Sequence, residues 1–292
     1  MRIIALIFSF LIVTFSFGQK KENLADRAEF DALFDSLNTL SEIMIKGRGP
    51  ENRIKASYSY LSLLEEGLNR FQSFEYPFDS LDHISIQTAD DNNLRIFTWD
   101  LLFSANHYRH LGIIQYIDKK KVLHVKVLND FSDHILNPMD TVNTADKWYG
   151  CFYYKIMTKK SKGKTKYYLF GWDMNDAVTY KKLIDVLWFS GEKMYFGAKD
   201  FYFEEYKEWH YKFVMEYKRD ATTTLNYDED RNIIIFDHLT MIGKSQTSNS
   251  DRDIMIPDGS YHGFEWKKGR WNFIDKVFHF RLNDGQAPVG NR

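Results

Sequence analysis

The spacing of apolar residues changes once along this chain, near residue 76, and that change limits the fold more than any other feature. Before it, apolar residues recur every three or four positions, which is the period of an amphipathic helix. After it, they alternate with polar residues, as in a strand with one buried face. The sequence therefore predicts an α+β, mostly β protein, with a helical hairpin over 19–76 and an antiparallel β-meander over 77–282.

Two helices are predicted before the change. Phe30, Leu33 and Leu37 share one face of the first helix, which we expect to end at Gly47. Pro50 suits the first turn of the second helix, because its missing N–H would have no partner there. A connection this short predicts two helices packed side by side.

The β region is predicted from alternating segments and the turns between them. Three hairpins are expected: 152–156 with 167–170, 212–217 with 222–227, and 261–266 with 271–273. Successive short hairpins are typical of a barrel, a sandwich or an irregular propeller. The polar stretch 243–257 predicts a long loop instead, and the last residues, 283–292, predict a flexible tail.

Residues 1–18 have the pattern of a signal peptide. A basic residue precedes an apolar stretch, and Ser16 and Gly18 take the small-residue positions before Gln19. The apolar stretch is too short to predict a spanning helix. The single cysteine, Cys151, is far from the cleavage position where a lipid anchor would need it. We therefore expect an exported protein, periplasmic or extracellular, with no transmembrane segment after signal cleavage.

Composition excludes several classes of protein. Lys and Arg number 39 against 40 Asp and Glu, a formal net charge of −1, so no nucleic-acid partner is expected. One cysteine excludes a disulfide scaffold and a cysteine-rich zinc module. Aromatic residues make up 17% of the chain, which excludes a disordered protein and suits strands.

One polar turn is a candidate calcium site. Asp173, Asn175 and Asp176 supply oxygen atoms in the pattern that opens a calcium-binding loop. Val178 then stands where such a loop needs glycine, and Ile184 where it needs a bidentate glutamate. Calcium held by Asp173 and Asp176 is therefore one interpretation, and an ordinary Asp/Asn turn after a strand is the other.

Tryptophans near predicted strand ends are candidate ligand-binding residues, because an exposed indole ring stacks well on a sugar. The alternative is that these tryptophans form the core of the β region. The candidate ligand-binding residues are Trp99, Trp172, Asp173, Asp258, Tyr261 and His262. A carbohydrate or an envelope protein is the partner that such residues suggest.

Five segments resemble a group of uncharacterised exported proteins of Bacteroidetes-type bacteria. They are 167–173, 182–187, 236–239, 257–264 and 267–271. The resemblance implies an exported Gram-negative context. It carries no activity, so it assigns no catalytic residue.

The sequence favours a non-catalytic exported protein that works as a binding or envelope-associated module. The reason is that no catalytic motif is complete: Tyr261 stands at the centre of a glycine-flanked segment where a nucleophile elbow needs serine. The alternative is a hydrolase with a metal-assisted site around Asp173, Asp176, Asp258 and His262. No cofactor other than calcium is expected.

Overall fold

The computed structural model describes residues 24–70, 72–78, 81–104, 107–247 and 250–278. The predicted signal peptide, 1–18, and the predicted tail, 283–292, lie outside the described residues.

The described chain begins with a helical hairpin, as predicted. Helices α1 (Leu24–Lys46) and α2 (Pro50–Leu68) are joined by three residues. Gly49 in that link has a φ of 78°, a conformation that glycine adopts without strain, and Pro50 opens α2. Leu37 and Leu64 are fully buried in the core that the helices share with the first sheet.

Strands make up most of the rest of the described chain. They are β1 (Ser85–Thr88), β2 (Leu94–Ser104), β3 (His107–Ile117), β4 (Leu123–Asn129), β5 (Phe152–Ser161), β6 (Lys164–Asp173), β7 (Thr179–Ser190), β8 (Lys193–Phe196), β9 (Phe201–Phe203), β10 (Glu208–His210), β11 (Phe213–Lys218), β12 (Leu225–Asp228), β13 (Ile233–Thr247), β14 (Ser250–Lys267) and β15 (Arg270–Ile274). A connecting segment, residues 130–151, joins β4 to β5 and contains three short 3-10 turns.

The strands form three open sheets. The first sheet has the order β1-β2-β3-β4, and the second has the order β11-β7-β6-β5, with β8 also paired to β7. The third sheet has the order β10-β9-β15-β14-β13-β12. Pairing is antiparallel in these sheets except between β9 and β15, which run parallel. The predicted α+β, mostly β class is therefore confirmed, with sheets that stay open rather than closing into a barrel.

Three hydrophobic cores separate four layers. The helices pack on one face of the first sheet, around Tyr60 and Trp99. The other face of the first sheet packs on the second sheet around Trp148, and the second sheet packs on the third around Tyr168 and Trp271. The twelve largest fully buried side chains of the described residues are all aromatic. The aromatic excess of the sequence therefore serves mainly to fill these cores.

One predicted hairpin is wrong. Residues 212–217 and 222–227 do not pair with each other, since β11 pairs with β7 in the second sheet and β12 pairs with β13 in the third. The chain crosses from one sheet to the other between them. The alternation of apolar and polar residues in these segments indicates that each strand has a buried face, but it does not determine which strand each one pairs with. The hairpins formed by β5 with β6 and by β14 with β15 are present as predicted.

The loop predicted at 243–257 is also wrong. Residues 243–247 belong to β13 and residues 250–257 to β14, and the two strands pair from Ile233 with Glu265 out to Thr247 with Ser250 and form a long two-stranded arm. Met241 and Ile242 on the arm are more than half exposed. In a two-stranded ribbon the backbone N–H and C=O groups bond between the two strands, and neither face has to be buried. Such a sequence needs no alternation of apolar and polar residues, so it resembles that of a loop.

Candidate functional site

A cleft of about 560 Å³ opens where β3 and the connecting segment meet the second sheet. Asp173, Lys181 and Glu216 line the side that the second sheet provides, and the buried His110 and Asp173 form the floor. The connecting segment forms the opposite wall, on which Leu136 is 91% exposed.

Strand register explains the polar wall. Asp173 at the end of β6 lies directly opposite Lys181 on β7, and Lys181 lies opposite Glu216 on β11. Directly opposed residues of antiparallel strands project from the same face of the sheet. The second sheet therefore presents a row of carboxylate, ammonium and carboxylate across three strands.

His110 is held between two carboxylates. Its Nδ1 lies 2.7 Å from Oδ1 of Asp100, and its Nε2 lies 3.1 Å from Oδ1 of Asp173. The residue is only 4% exposed. An ionised carboxylate accepts but does not donate, so both ring nitrogens donate and the ring is an imidazolium. A third carboxylate, that of Asp130, accepts the backbone N–H of His110 at 2.9 Å.

The pKa values agree with a fixed imidazolium. Burial acts to lower the pKa of His110, but hydrogen bonds to Asp100 and Asp173 and their negative charges raise it well above its ordinary value. Burial likewise acts to raise the pKa of Asp173, while His110 and the charge of Lys181 bring that pKa below its ordinary value. The pair therefore stays charged around neutral pH.

Local sequence places these groups. Asp100 on β2 is directly opposite His110 on β3, so one hairpin brings the two side chains together. Gly150 lets the connecting segment approach them, because a Cβ there would lie 2.8 Å from Cβ of His110 and 2.6 Å from Cγ of Asp130. No other residue fits that position without displacing the histidine or the aspartate.

The floor of the cleft offers both an acceptor and donors. The hydrogen bonds that Asp173 accepts from His110 and from the Asn175 N–H both use Oδ1. Its other oxygen, Oδ2, is left to accept from a ligand. Lys181 Nζ lies 3.3 Å from the Tyr149 hydroxyl. Burial raises the pKa of Tyr149 well above its ordinary value, so this phenol keeps its proton and donates.

The arm formed by β13 and β14 reaches this wall of the cleft. Arg252 on β14 lies 2.9 Å from Oε1 of Glu216 and 2.7 Å from Oδ2 of Asp176. The Thr179 hydroxyl also donates to Glu216, at 2.6 Å. Asp173 and Asp176, the predicted calcium ligands, are therefore bound to different partners, His110 and Arg252. No group of three or more metal-ligating side chains among the described residues is placed to hold a metal ion.

The two candidate tryptophans lie away from the cleft lining. Trp99 is 1% exposed and donates to the Ser57 hydroxyl at 3.1 Å beneath the helices, so its ring has no surface to offer a ligand. Trp172 is half-buried and packs edge-to-face on Tyr180 at 5.3 Å. Because it precedes Asp173 on the same strand, it projects from the opposite face of the second sheet.

Two of the other candidate residues, Asp258 and His262, belong to a separate cluster on the third sheet. Oδ2 of Asp258 lies 2.6 Å from Nδ1 of His238, whose ring centroid is 4.4 Å from that of His262. Tyr261 points elsewhere and packs against Phe278 at 5.7 Å. The structure thus brings Asp258 and His262 together, but it places them on a different sheet from Asp173.

Sequence reasoning missed most of the cleft. Of its polar lining residues only Asp173 and Asn175 belonged to a candidate motif, while His110, Tyr149 and Lys181 did not. Asp100, which holds His110 from outside the lining, was not a candidate either. The opposition of Asp100 and His110 depends on a bulge in the pairing of β2 and β3, which residue spacing does not reveal.

Comparison with protein-family models, with curated proteins and with solved structures found no match to this chain. Neither helix of the described residues is long and apolar enough to cross a membrane.

Proposed function

We propose that this is a non-catalytic binding protein whose cleft holds a hydroxyl-rich ligand, a sugar or short oligosaccharide. The observation that carries the proposal is the cleft floor, where the free Oδ2 of Asp173 lies beside two donors, Lys181 and the Tyr149 hydroxyl. A sugar hydroxyl both donates and accepts, so neighbouring hydroxyls match this arrangement. The volume of about 560 Å³ lies in the range of small-ligand pockets.

The state of His110 favours binding over acid–base catalysis. Both of its nitrogens are occupied by carboxylates, so it has no lone pair with which to take a proton from a substrate. Glu216 is also engaged, by Arg252 and Thr179. Groups with fixed partners are suited to holding a ligand in one orientation.

The rim of the cleft supplies apolar contact. Leu136 is 91% exposed at the rim, and Met139 and the half-buried Tyr108 ring line the same cleft. A sugar ring has an apolar C–H face that packs on such groups while its hydroxyls bond to the floor.

The test is a panel of mono- and disaccharides titrated by calorimetry against the wild-type protein and two variants. Lys181→Met removes a donor from the cleft, and Lys182→Met removes the same charge from the opposite face of β7. We expect saturable binding of at least one sugar. Loss of a hydrogen bond to a charged group should weaken it about ten-fold or more in Lys181→Met. Lys182→Met should bind like the wild type.

Three results would contradict this proposal. The first is the absence of sugar binding across the panel, and the second is equal weakening in both variants. The third is release of nitrophenol from aryl glycosides of a bound sugar, which would favour the hydrolase.

We also propose that the protein is exported to the periplasm or the cell exterior, where envelope sugars would be its ligands. The support for export is the signal-peptide pattern of residues 1–18 and the resemblance to exported proteins. N-terminal sequencing of the protein from the periplasmic or culture fraction should begin at Gln19. A cytoplasmic protein that begins at Met1 would contradict export.

A further inference from the structure

A second pocket, of about 360 Å³, lies on the other face of the second sheet. It forms where β5 and β7 meet residues 223–226, which comprise the two residues before β12 and the first two of β12. Lys182 and Lys155 both line it. Lys182 and Lys181 are consecutive residues of β7, so their side chains project from opposite faces of the sheet. Lys181 therefore lines the cleft, and Lys182 lines the second pocket.

The Lys182 ammonium lacks a direct counter-charge. Its Nζ donates to the Thr223 carbonyl at 2.5 Å and lies 5.7 Å from the centroid of the Tyr154 ring. Within the described residues, no carboxylate oxygen lies within 4.0 Å of this nitrogen. Burial lowers the pKa of Lys182, against the charge of Asp237, as expected for a cation with incomplete compensation.

Asp237 is already engaged elsewhere. It is 7% exposed, and its Oδ2 accepts the backbone N–H of Thr224. It therefore acts on Lys182 through space and forms no ion pair with it. The missing direct partner is what a bound anion would supply.

Lys155 adds a second cation with a weak partner. Its Nζ lies 3.4 Å from the Tyr227 carbonyl and 3.6 Å from Oε1 of Glu229. The Glu229 side chain is 79% exposed, so this ion pair is screened by solvent and contributes little. Lys155 is therefore free to bind a ligand at small cost.

Neutral donors complete the lining. Oδ1 of Asn226 accepts the Tyr227 N–H at 2.9 Å, which leaves the amide NH₂ of Asn226 to donate. Thr224, which carries a hydroxyl group, lines the same pocket. Two ammonium groups carry more positive charge than the single negative charge of a carboxylate can balance. A phosphate group, with a charge of about −1.5 to −2 and three acceptor oxygens, matches them.

We propose that the second pocket binds a phosphate group at the ammonium of Lys182, with Lys155 turning from the Tyr227 carbonyl to reach it and with Asn226 and Thr224 donating to its remaining oxygens. Lysines bind phosphate as point charges and need no planar fork geometry. The site does not depend on the sugar proposal, because the two pockets lie on opposite faces of the second sheet.

The test is a titration of inorganic phosphate into the full chain at constant ionic strength, followed by calorimetry and by ³¹P NMR. We expect one saturable site in the wild-type protein. Lys182→Met and Lys155→Met should each weaken it about ten-fold or more, the loss of one charge-assisted hydrogen bond. Lys181→Met loses the same charge from the other face and should leave phosphate binding unchanged. Glycerol phosphate in a parallel titration distinguishes a phosphate ester from free phosphate, and saturable binding of either supports the site.

Three results would overturn the proposal. They are no saturable binding of either phosphate or glycerol phosphate in the wild type, equal weakening by Lys181→Met and Lys182→Met, and tighter binding of acetate than of phosphate. Circular dichroism of each variant checks that it is folded. If Lys182→Met fails to fold, Lys155→Met decides the question, since Lys155 is the more loosely held of the two.

Discussion

The same face of the second sheet carries two buried ion pairs that differ in access to solvent. Lys212 and Asp185 are 2.8 Å apart, and both side chains are fully buried. His110 and Asp173 are nearly as buried, at 3% and 6%, but they form the floor of the cleft. The comparison indicates that burial of a charge does not by itself mark a functional site. The two pairs differ because Oδ2 of Asp173 is open to a ligand in the cleft.

In the Lys212–Asp185 pair, called the sealed pair below, protein groups supply the hydrogen bonds. Asp185 accepts from Lys212, from the Val186 N–H at 2.7 Å and from the Tyr153 hydroxyl at 3.4 Å. The Tyr153 hydroxyl in turn accepts from the Trp148 indole at 2.9 Å. Burial lowers the pKa of Lys212, and the charge of Asp185 opposes that shift. This network can hold the connecting segment to the second sheet, but it has nothing to offer a ligand.

The largest expected effect is on the sealed pair. Lys212→Met leaves Asp185 as an uncompensated charge in the core, which should lower the free energy of unfolding by about 3–5 kcal/mol. Urea unfolding followed by tryptophan fluorescence measures the change. Lys126→Met is the matched control, because Lys126 pairs with Asp146 on the surface, where both side chains are about half exposed or more.

A double variant sharpens this test. Lys212→Met combined with Asp185→Leu removes both charges, so it should recover much of the lost stability. If Lys212→Met alone is no less stable than the Lys126→Met control, the sealed pair does not have the structural role assigned to it.

A smaller effect is expected at the His110–Asp173 pair at the cleft floor, called the open pair below. His110→Gln leaves Asp100 and Asp173 facing each other, but its amide can still donate to one of them and cleft water can reach the other. We expect a loss of about 2 kcal/mol in the same urea experiment. A loss as large as that of Lys212→Met would show that the open pair is sealed like the other.

The pH dependence of stability separates the two pairs further. The pKa of His110 is raised by folding, so its contribution is fully present below about pH 6.5 and is lost as the pH rises through its folded value. The pKa of Asp173 is lowered, so its contribution is fully present above about pH 3.9 and is lost as the pH falls through its folded value. The stability difference between wild type and His110→Gln should therefore shrink towards alkaline pH. A difference that grows with pH would contradict the imidazolium.

The smallest effect is expected from the arm. Arg252 is about a quarter exposed, and its partners Asp176 and Glu216 are about a third exposed. Arg252→Met should cost less than about 1 kcal/mol in urea unfolding. A cost equal to that of His110→Gln would show that the arm is part of the framework of the cleft.

Residue patterns were enough to predict the fold class but not the pairing of every strand. The spacing of Leu33 and Leu37 predicted α1, and the alternating segments 152–156 and 167–170 predicted β5 and β6. Both signals are local. The partner of β11 is fixed by which sheet it packs on, and that choice depends on residues far away in sequence.

The site was harder to predict for the same reason. Asp173 stood out because it belongs to a polar turn. His110 did not, because its meaning depends on Asp100 from the neighbouring strand and on Gly150 from the connecting segment. Sequence alternation places His110 on one face of β3, but it cannot show that two carboxylates face it there.

The protonation state of His110 decides whether the cleft holds a fixed imidazolium, and ¹⁵N NMR of protein labelled at its nine histidines measures it. The signal is assigned by its absence from His110→Gln. A histidine in water is neutral at pH 8, whereas we expect His110 to keep protons on both ring nitrogens there. A neutral His110 at pH 8, with one bare nitrogen, would contradict this account and give the cleft the general base that a hydrolase needs.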